Sequence, residues 1–160
     1  MGTGKSQVAK KLGALLKRPV VSTDRLIEAQ EHKSIADIFQ TSGEAHFRAL
    51  EKKIINEISQ KGSQIIDCGG GVVLDPENVV NLKRNGTLIC LVASAETILE
   101  RVQRNPHRPL LKGADPFTKI KELLEARKSH YAQADATIAT DGKKAEDVCQ
   151  EVLKIIGYDG

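Results

Sequence analysis

The residues best suited to chemistry stand at the very start of the chain, where Gly2-Thr3-Gly4-Lys5-Ser6 precedes a helical pattern. A glycine-rich turn ending in Lys and Ser at a helix N-terminus is a phosphate cradle. Its backbone N–H groups and the helix end hold phosphate oxygens. Lys5 would reach the β- and γ-phosphates of a nucleotide, and the Ser6 hydroxyl would ligate Mg²⁺. Gly4-Lys5-Ser6 fills the last three places of the G-x-x-x-x-G-K-[ST] pattern, with Met1 and Gly2 as its third and fourth residues. The first Gly, its neighbour and the strand that should precede them are not in the sequence. The expectation is therefore a sequence that starts downstream of the true start, or a truncated chain. Taken alone, the five residues also fit a flexible glycine-rich terminus.

Further candidates recur along the chain. Ser22-Thr23-Asp24 and Gly69-Gly70-Gly71 each follow a short apolar run. Asp24 is a carboxylate able to accept or orient a hydroxyl proton, and equally a plain helix N-cap. Arg48 and Arg127 offer planar forks for a carboxylate, or solvated helix faces. Gly70 allows close backbone approach, or simply a tight turn. Arg108 lies beside Pro109-Leu110-Leu111 in a Pro-, Gly- and charge-rich stretch, Asn105 to Pro116, that reads as a mobile loop.

These residues need a frame, and the hydrophobic pattern supplies one. Helices are expected over Gly4–Leu16 (Val8, Leu12, Leu15 and Leu16 inward), from a Thr23-Asp24 cap, over Ser34–Phe39, and over Gly43–Ile58 with Phe47, Leu50, Ile54 and Ile58 inward. More are expected over Pro76–Arg84, Ala95–Gln103, Phe117–Tyr131 and Ala145–Ile156. Strands are expected at Pro19–Ser22, Gln64–Cys68, Thr87–Val92 and Ala136–Ala139. This alternation predicts an α/β three-layer sandwich, with a mainly parallel central sheet flanked by helices. Ligands of such sheets sit beyond the carboxyl ends of the strands, where the loop, Asp24 and the three glycines all fall.

Composition removes other classes. The chain has 160 residues, 40% hydrophobic and 28% charged, with a net charge of +3. One domain with one core is expected. The charge is too small and too dispersed for a nucleic-acid binder, and 3% aromatics without Trp provide no stacking surface. No apolar run reaches the roughly 20 residues of a membrane span, and no leader precedes the loop. Cys68, Cys90 and Cys149 form no disulfide framework and read as reduced thiols, the first two in buried strands. The four histidines have no metal-ligand spacing. A cytoplasmic location follows as the expectation.

Across essentially all 160 residues the chain resembles the shikimate kinases, of the P-loop, nucleoside-monophosphate-kinase-like group. The resemblance rests on the phosphate loop and on Ser22-Thr23-Asp24-Arg25-Leu26-Ile27-Glu28. It rests also on Phe39 to Glu51 (with Gly43-Glu44 and Phe47-Arg48), Gly69-Gly70-Gly71, Arg108-Pro109-Leu110-Leu111 and Arg127 to Tyr131, all in family order. It implies ATP-dependent phosphorylation of shikimate at its 3-hydroxyl, with Mg²⁺, by a monomer. Asp24 would hydrogen-bond the ring hydroxyls, Arg48 and Arg127 would clamp the carboxylate, and Gly70 would lie against the substrate. Gly2, Thr3, Gly4, Lys5, Ser6 and Gln7 would hold ATP, with Ser6 on the metal. Arg108 would reach the transferring phosphoryl group and Arg104 would pack on adenine. Lys5, Asp24 and Arg108 would carry catalysis, residues of about 24–60 would bind substrate, and about 105–116 would form a lid. Glu28 and Glu51 are expected to pair with nearby cations. Many relatives have Asp where this chain has Ser22, which weakens the expected hold on a metal-bound water. Two other readings stay open: another small-molecule kinase such as a gluconate kinase, and a non-catalytic nucleotide-binding relative.

Overall fold

The computed structural model describes residues 2–104 and 115–158. Its strands are β1 (Val20–Ser22), β2 (Ile65–Asp67), β3 (Ile89–Val92) and β4 (Ala136–Ala139). Its helices are α1 (Lys5–Leu16), α2 (Thr23–Glu31), α3 (Ile35–Ile58), α4 (Pro76–Arg84), α5 (Ala95–Gln103), α6 (Pro116–Tyr131) and α7 (Ala145–Ile155). A short 3₁₀ turn covers Val72–Leu74.

Contacts divide the chain into two compact units, Ala9–Leu88 and Met1–Val8 with Ile89–Gly160. In the first, β1 and β2 pair in parallel, Val20 opposite Ile65 and Ser22 opposite Asp67. In the second, β3 and β4 pair in parallel from Ile89–Ala136 to Val92–Ala139. Both pairs are parallel, as the alternation of strands and helices predicts.

Short polar residues start the helices as capping requires, by accepting early backbone N–H groups. Ser34 accepts from Asp37 N–H at 3.1 Å, and Asp75 from Glu77 N–H at 2.8 Å with Pro76 beginning α4. Ser94 accepts from Thr97 N–H at 3.2 Å, and Asp115 from Phe117 N–H at 3.2 Å. The α2 cap is Ser22, which accepts from Arg25 N–H at 3.4 Å, and not the expected Thr23-Asp24. Asp24 is therefore released from capping and lies within the first turn.

The two helices expected over 34–39 and 43–58 join end to end as α3, broken at Gly43 by φ 82° and ψ 169°. Phe47, Leu50, Ile54 and Ile58 are buried at helical spacing, with Ile27 and Ile38. In the other unit, Ala93, Ala95, Ile98, Val102 and Ile120 form one apolar cluster, against which Leu99, Phe117 and Leu124 pack. Val8 and Leu12 of α1 are buried, but Leu15 is 51% exposed: the stripe outlasts its cover in the last turn. Cys68 and Cys90 are half-buried and only Cys149 is fully buried.

Candidate active site

The phosphate-loop pattern is realised where α1 begins. Gly2, Thr3 and Gly4 lead directly into Lys5, the first helical residue, and the first turn carries no acidic side chain. The positive end of the helix dipole there favours an anion. Lys5 is half-buried, Ser6 and Gln7 are exposed, and Thr3 is buried. The Thr3 hydroxyl has no hydrogen-bond partner among the described residues. An unsatisfied buried hydroxyl costs about 1–3 kcal/mol, and an oxygen-rich ligand in the loop would supply the missing acceptor. The donor set also suits Mg²⁺, which takes few protein ligands and completes its shell with phosphates and water. No group of three or more His, Cys, Asp or Glu able to hold a metal occurs among the described residues. Cys90 lies close enough to feel the Lys5 charge. Burial pushes its thiol above the usual range, and the ammonium pulls the other way.

A contact invisible in the sequence holds the loop from behind. Arg101, in the last turn of α5, donates through Nη1 to the Gly2 carbonyl at 3.2 Å and to Thr140 Oγ1 at 3.0 Å. Its Nη2 donates to the Thr140 carbonyl at 2.8 Å. Three residues further on, Arg104 is an exposed C-cap residue that pairs with Glu100. At the other end of α5, Asp141 accepts from the Ser94 N–H at 2.9 Å and from its hydroxyl at 2.7 Å. Hydrogen bonding from Thr97 and Ser94 holds the Asp141 carboxyl down to about 2. Arg127 is half-buried near the end of α6. Arg108 and residues 105–114 of the expected lid lie outside the described residues. Asp115 caps α6 and accepts from Thr118 Oγ1 at 2.6 Å.

The unit of residues 9–88 gathers the other candidates on a glycine floor. Parallel pairing places Ser22 opposite Asp67, so the chain leaves β1 and β2 side by side. Thr23, fully buried, accepts the Gly69 N–H at 3.1 Å and ties the two exits together. Asp24 follows, half-buried, over Gly69: a Cβ there would lie 2.9 Å from Asp24 Oδ1 and 3.3 Å from Glu51 Oε1. Arg48 covers Gly71, where a Cβ would lie 2.6 Å from its Nη1.

The Arg48 guanidinium is held on two sides. Nη1 donates to Glu51 Oε2 at 2.8 Å, and Nε and Nη2 donate to Glu44 Oε1 at 3.3 and 3.2 Å. It also rests over the Phe47 ring, 5.1 Å from the centroid. Glu51 is 1% exposed, so it pairs with a cation as expected. Glu28 has no cation partner among the described residues: it accepts the Ile35 N–H at 3.0 Å, fixing the joint between α2 and α3. Ser22 spends its hydroxyl on the α2 cap.

The sequence marked Gly70 of the three glycines. The structure adds Gly69 and Gly71, where an added Cβ would stand within 3.0 Å of Asp24 and of Arg48, so that those side chains would have to shift. Asp24 and Arg48 thus lie over neighbouring glycines of one turn, the guanidinium held by Glu44 and Glu51.

Parallel strands alternating with helices, and a Gly-Lys-Ser turn opening α1, define an α/β kinase of the P-loop kind. Comparison with known proteins narrows the class. The family model described as shikimate kinase matches residues 1–157. A shikimate kinase of Caldanaerobacter subterraneus is 43% identical over 154 residues, 96% of this chain and 90% of the relative. One from Persephonella marina is also 43% identical, over 96% of this chain and 92% of its own. The structure of Acinetobacter baumannii shikimate kinase, described as a complex with shikimate, superposes with a TM-score of 0.91 at 34% identity, over 98% of this chain and 88% of that one. The chain belongs to the shikimate kinase family, and it is a phosphotransferase with an alcohol group as acceptor.

Proposed function

We propose that this chain transfers the γ-phosphoryl group of ATP to the 3-hydroxyl of shikimate, giving shikimate 3-phosphate on the route to chorismate and the aromatic amino acids. The observation that carries this reading is the Asp24–Glu51–Arg48 group packed on Gly69 and Gly71. Asp24 orients the attacking hydroxyl and accepts its proton as the oxygen bonds to phosphorus. The bond from phosphorus to the β-γ bridging oxygen breaks, and ADP leaves. Positioning and charge stabilisation dominate such transfers.

Arg48 and Arg127 hold the substrate carboxylate, and Gly70 lets the ring approach the backbone. Gly2, Thr3, Gly4, Lys5, Ser6 and Gln7 hold the phosphates. Ser6 also takes Mg²⁺, which would neutralise charge on the phosphate oxygens. The family resemblance assigns Arg108 to the transferring phosphoryl group and Arg104 to the adenine face. It likewise assigns residues 24–60 to substrate binding and residues 105–116 to a lid, in one domain.

We also read the chain as a cytoplasmic monomer. Light scattering after size exclusion tests the monomer. The function is tested by coupled ADP release with shikimate and with gluconate. Shikimate-dependent ADP release, with shikimate 3-phosphate found by mass spectrometry, is the expected result. Turnover of gluconate alone, or ATP binding without transfer, overturns the reading.

A further inference from the structure

We infer that Thr23 is a positioning residue for phosphoryl transfer: its buried hydroxyl ties the glycine turn to the start of α2 and so sets where Asp24 stands over Gly69. The inference rests on the reading that Asp24 orients the attacking hydroxyl.

Three observations carry it. First, the register between β1 and β2 ends at Ser22 opposite Asp67. Thr23 opens α2, so the chain turns away from its neighbour just before the glycines. Past that point a side chain takes over from the ladder. The Thr23 hydroxyl accepts the Gly69 N–H at 3.1 Å and donates to the Asp67 carbonyl at 3.5 Å. Second, Thr23 is fully buried, so bulk water does not compete for these bonds, and a buried N–H left unmet is costly. Third, the placement of Gly69 governs what lies on the turn. Asp24 is the next residue along α2, and a Cβ on Gly69 would stand 2.9 Å from its Oδ1. The Val72 N–H closes on the Gly69 carbonyl and the Leu74 N–H on the Gly71 carbonyl, each at 3.1 Å. Buried Asn78 holds the far end, donating through Nδ2 to the Val72 carbonyl at 3.1 Å.

Thr23 therefore acts on the reaction through Asp24 and the turn, without touching the substrate. Its loss frees Gly69 to move relative to Asp24, and small misplacements of a reacting group are felt strongly in the rate. All of these bonds lie within residues 9–88. The residues read as holding the phosphates take no part in them, so affinity for ATP should not respond.

The experiment compares Thr23→Val, Thr23→Ser, Asp24→Asn and the Thr23→Val, Asp24→Asn double variant in the full chain. Val keeps the branched shape and loses the hydroxyl; Ser keeps the hydroxyl. The single-turnover transfer rate, KM for ATP and amide exchange at Gly69 are measured. Thr23→Val should slow transfer about 10- to 100-fold and leave KM for ATP within about twofold of the parent. It should also speed exchange at Gly69 by about tenfold or more. Thr23→Ser should recover most of both. Because the effect passes through Asp24, Thr23→Val should slow the Asp24→Asn protein by no more than about threefold further. Parental transfer rate or parental Gly69 exchange in Thr23→Val, or multiplicative losses in the double variant, overturns the inference. If Thr23→Val does not fold, Thr23→Ala is read in its place; failure of both to fold also overturns it, because the hydroxyl then serves stability alone. If Asp24→Asn transfers as fast as the parent, it is the reading of Asp24 that fails, and if the parent transfers nothing to shikimate, the proposed function fails.

Discussion

Gly71→Ala tests the glycine floor most directly. Gly71 has φ −98° and ψ 1°, which alanine tolerates, so the backbone is not the obstacle. The new methyl would meet Arg48, 2.6 Å from Nη1 and 2.8 Å from Cζ, where ordinary contact begins at 3.4 Å. The guanidinium must retreat by at least the difference between 3.4 and 2.6 Å, about 0.8 Å, because Nη2 lies nearer still. A shift of that size strains its 2.8 Å bond to Glu51, since N–H···O bonds span about 2.7–3.2 Å. Overpacking of this kind costs about 1–3 kcal/mol of stability. Function should suffer more, because a misplacement near 1 Å in a binding group can cost about 100-fold. Coupled ADP-release kinetics should show kcat/KM for shikimate down by about 10- to 100-fold, with KM for ATP unchanged and a lower melting temperature. A shikimate kcat/KM within about threefold of the parent would refute the packing of Arg48 on Gly71 as a determinant of substrate binding.

Asp24→Asn should lower kcat by about 10²–10⁴-fold, the usual worth of a positioned base; single-turnover kinetics reads it directly. Gly69→Ala, whose methyl would stand 2.9 Å from Asp24 Oδ1, should lower kcat more than it raises KM for ATP. Ile120→Ala removes a side chain that is 1% exposed at the centre of an apolar cluster and should cost about 2–5 kcal/mol in denaturant unfolding. Asp141 contributes stability because its folded carboxyl sits near 2, below the ordinary 3.8. That contribution is complete above the ordinary value and fades as pH falls through about 2. Asp141→Asn should therefore lose, after solvent screening, at most about 1 kcal/mol at neutral pH. Its melting curve should meet that of the parent at the acid end.

Local signals were legible and long-range ones were not. Pro76–Arg84, Ala95–Gln103 and Ala136–Ala139 are as periodicity and turn residues predict, because those cues act over one or two turns. The α2 cap shows the limit of such cues. Ser22, Thr23 and Asp24 are all capping residues, and only the backbone path out of β1 selects Ser22 while burying Thr23. Glu28 looked like an ion-pair partner, but the chain delivers the Ile35 N–H to it first. Within residues 9–88, the motifs located Asp24, Arg48 and the glycine run. Which glycine carries which side chain depends on pairing across more than forty residues, as between Thr23 and Gly69. No period or spacing encodes the reach of Arg101 to Gly2.

The break in α3 has a consequence for how this sequence can vary. Gly43 has φ 82° and ψ 169°, a region open essentially to glycine alone. Yet a Cβ on it would find nothing within 4 Å. A saturation library at this codon should thus behave unlike one at a packed glycine. Every replacement, small or large, would be penalised to a similar degree, and neither trimming neighbours nor compensating in the core would rescue it. Intolerance that does not depend on side-chain volume marks a position selected for the direction of its backbone.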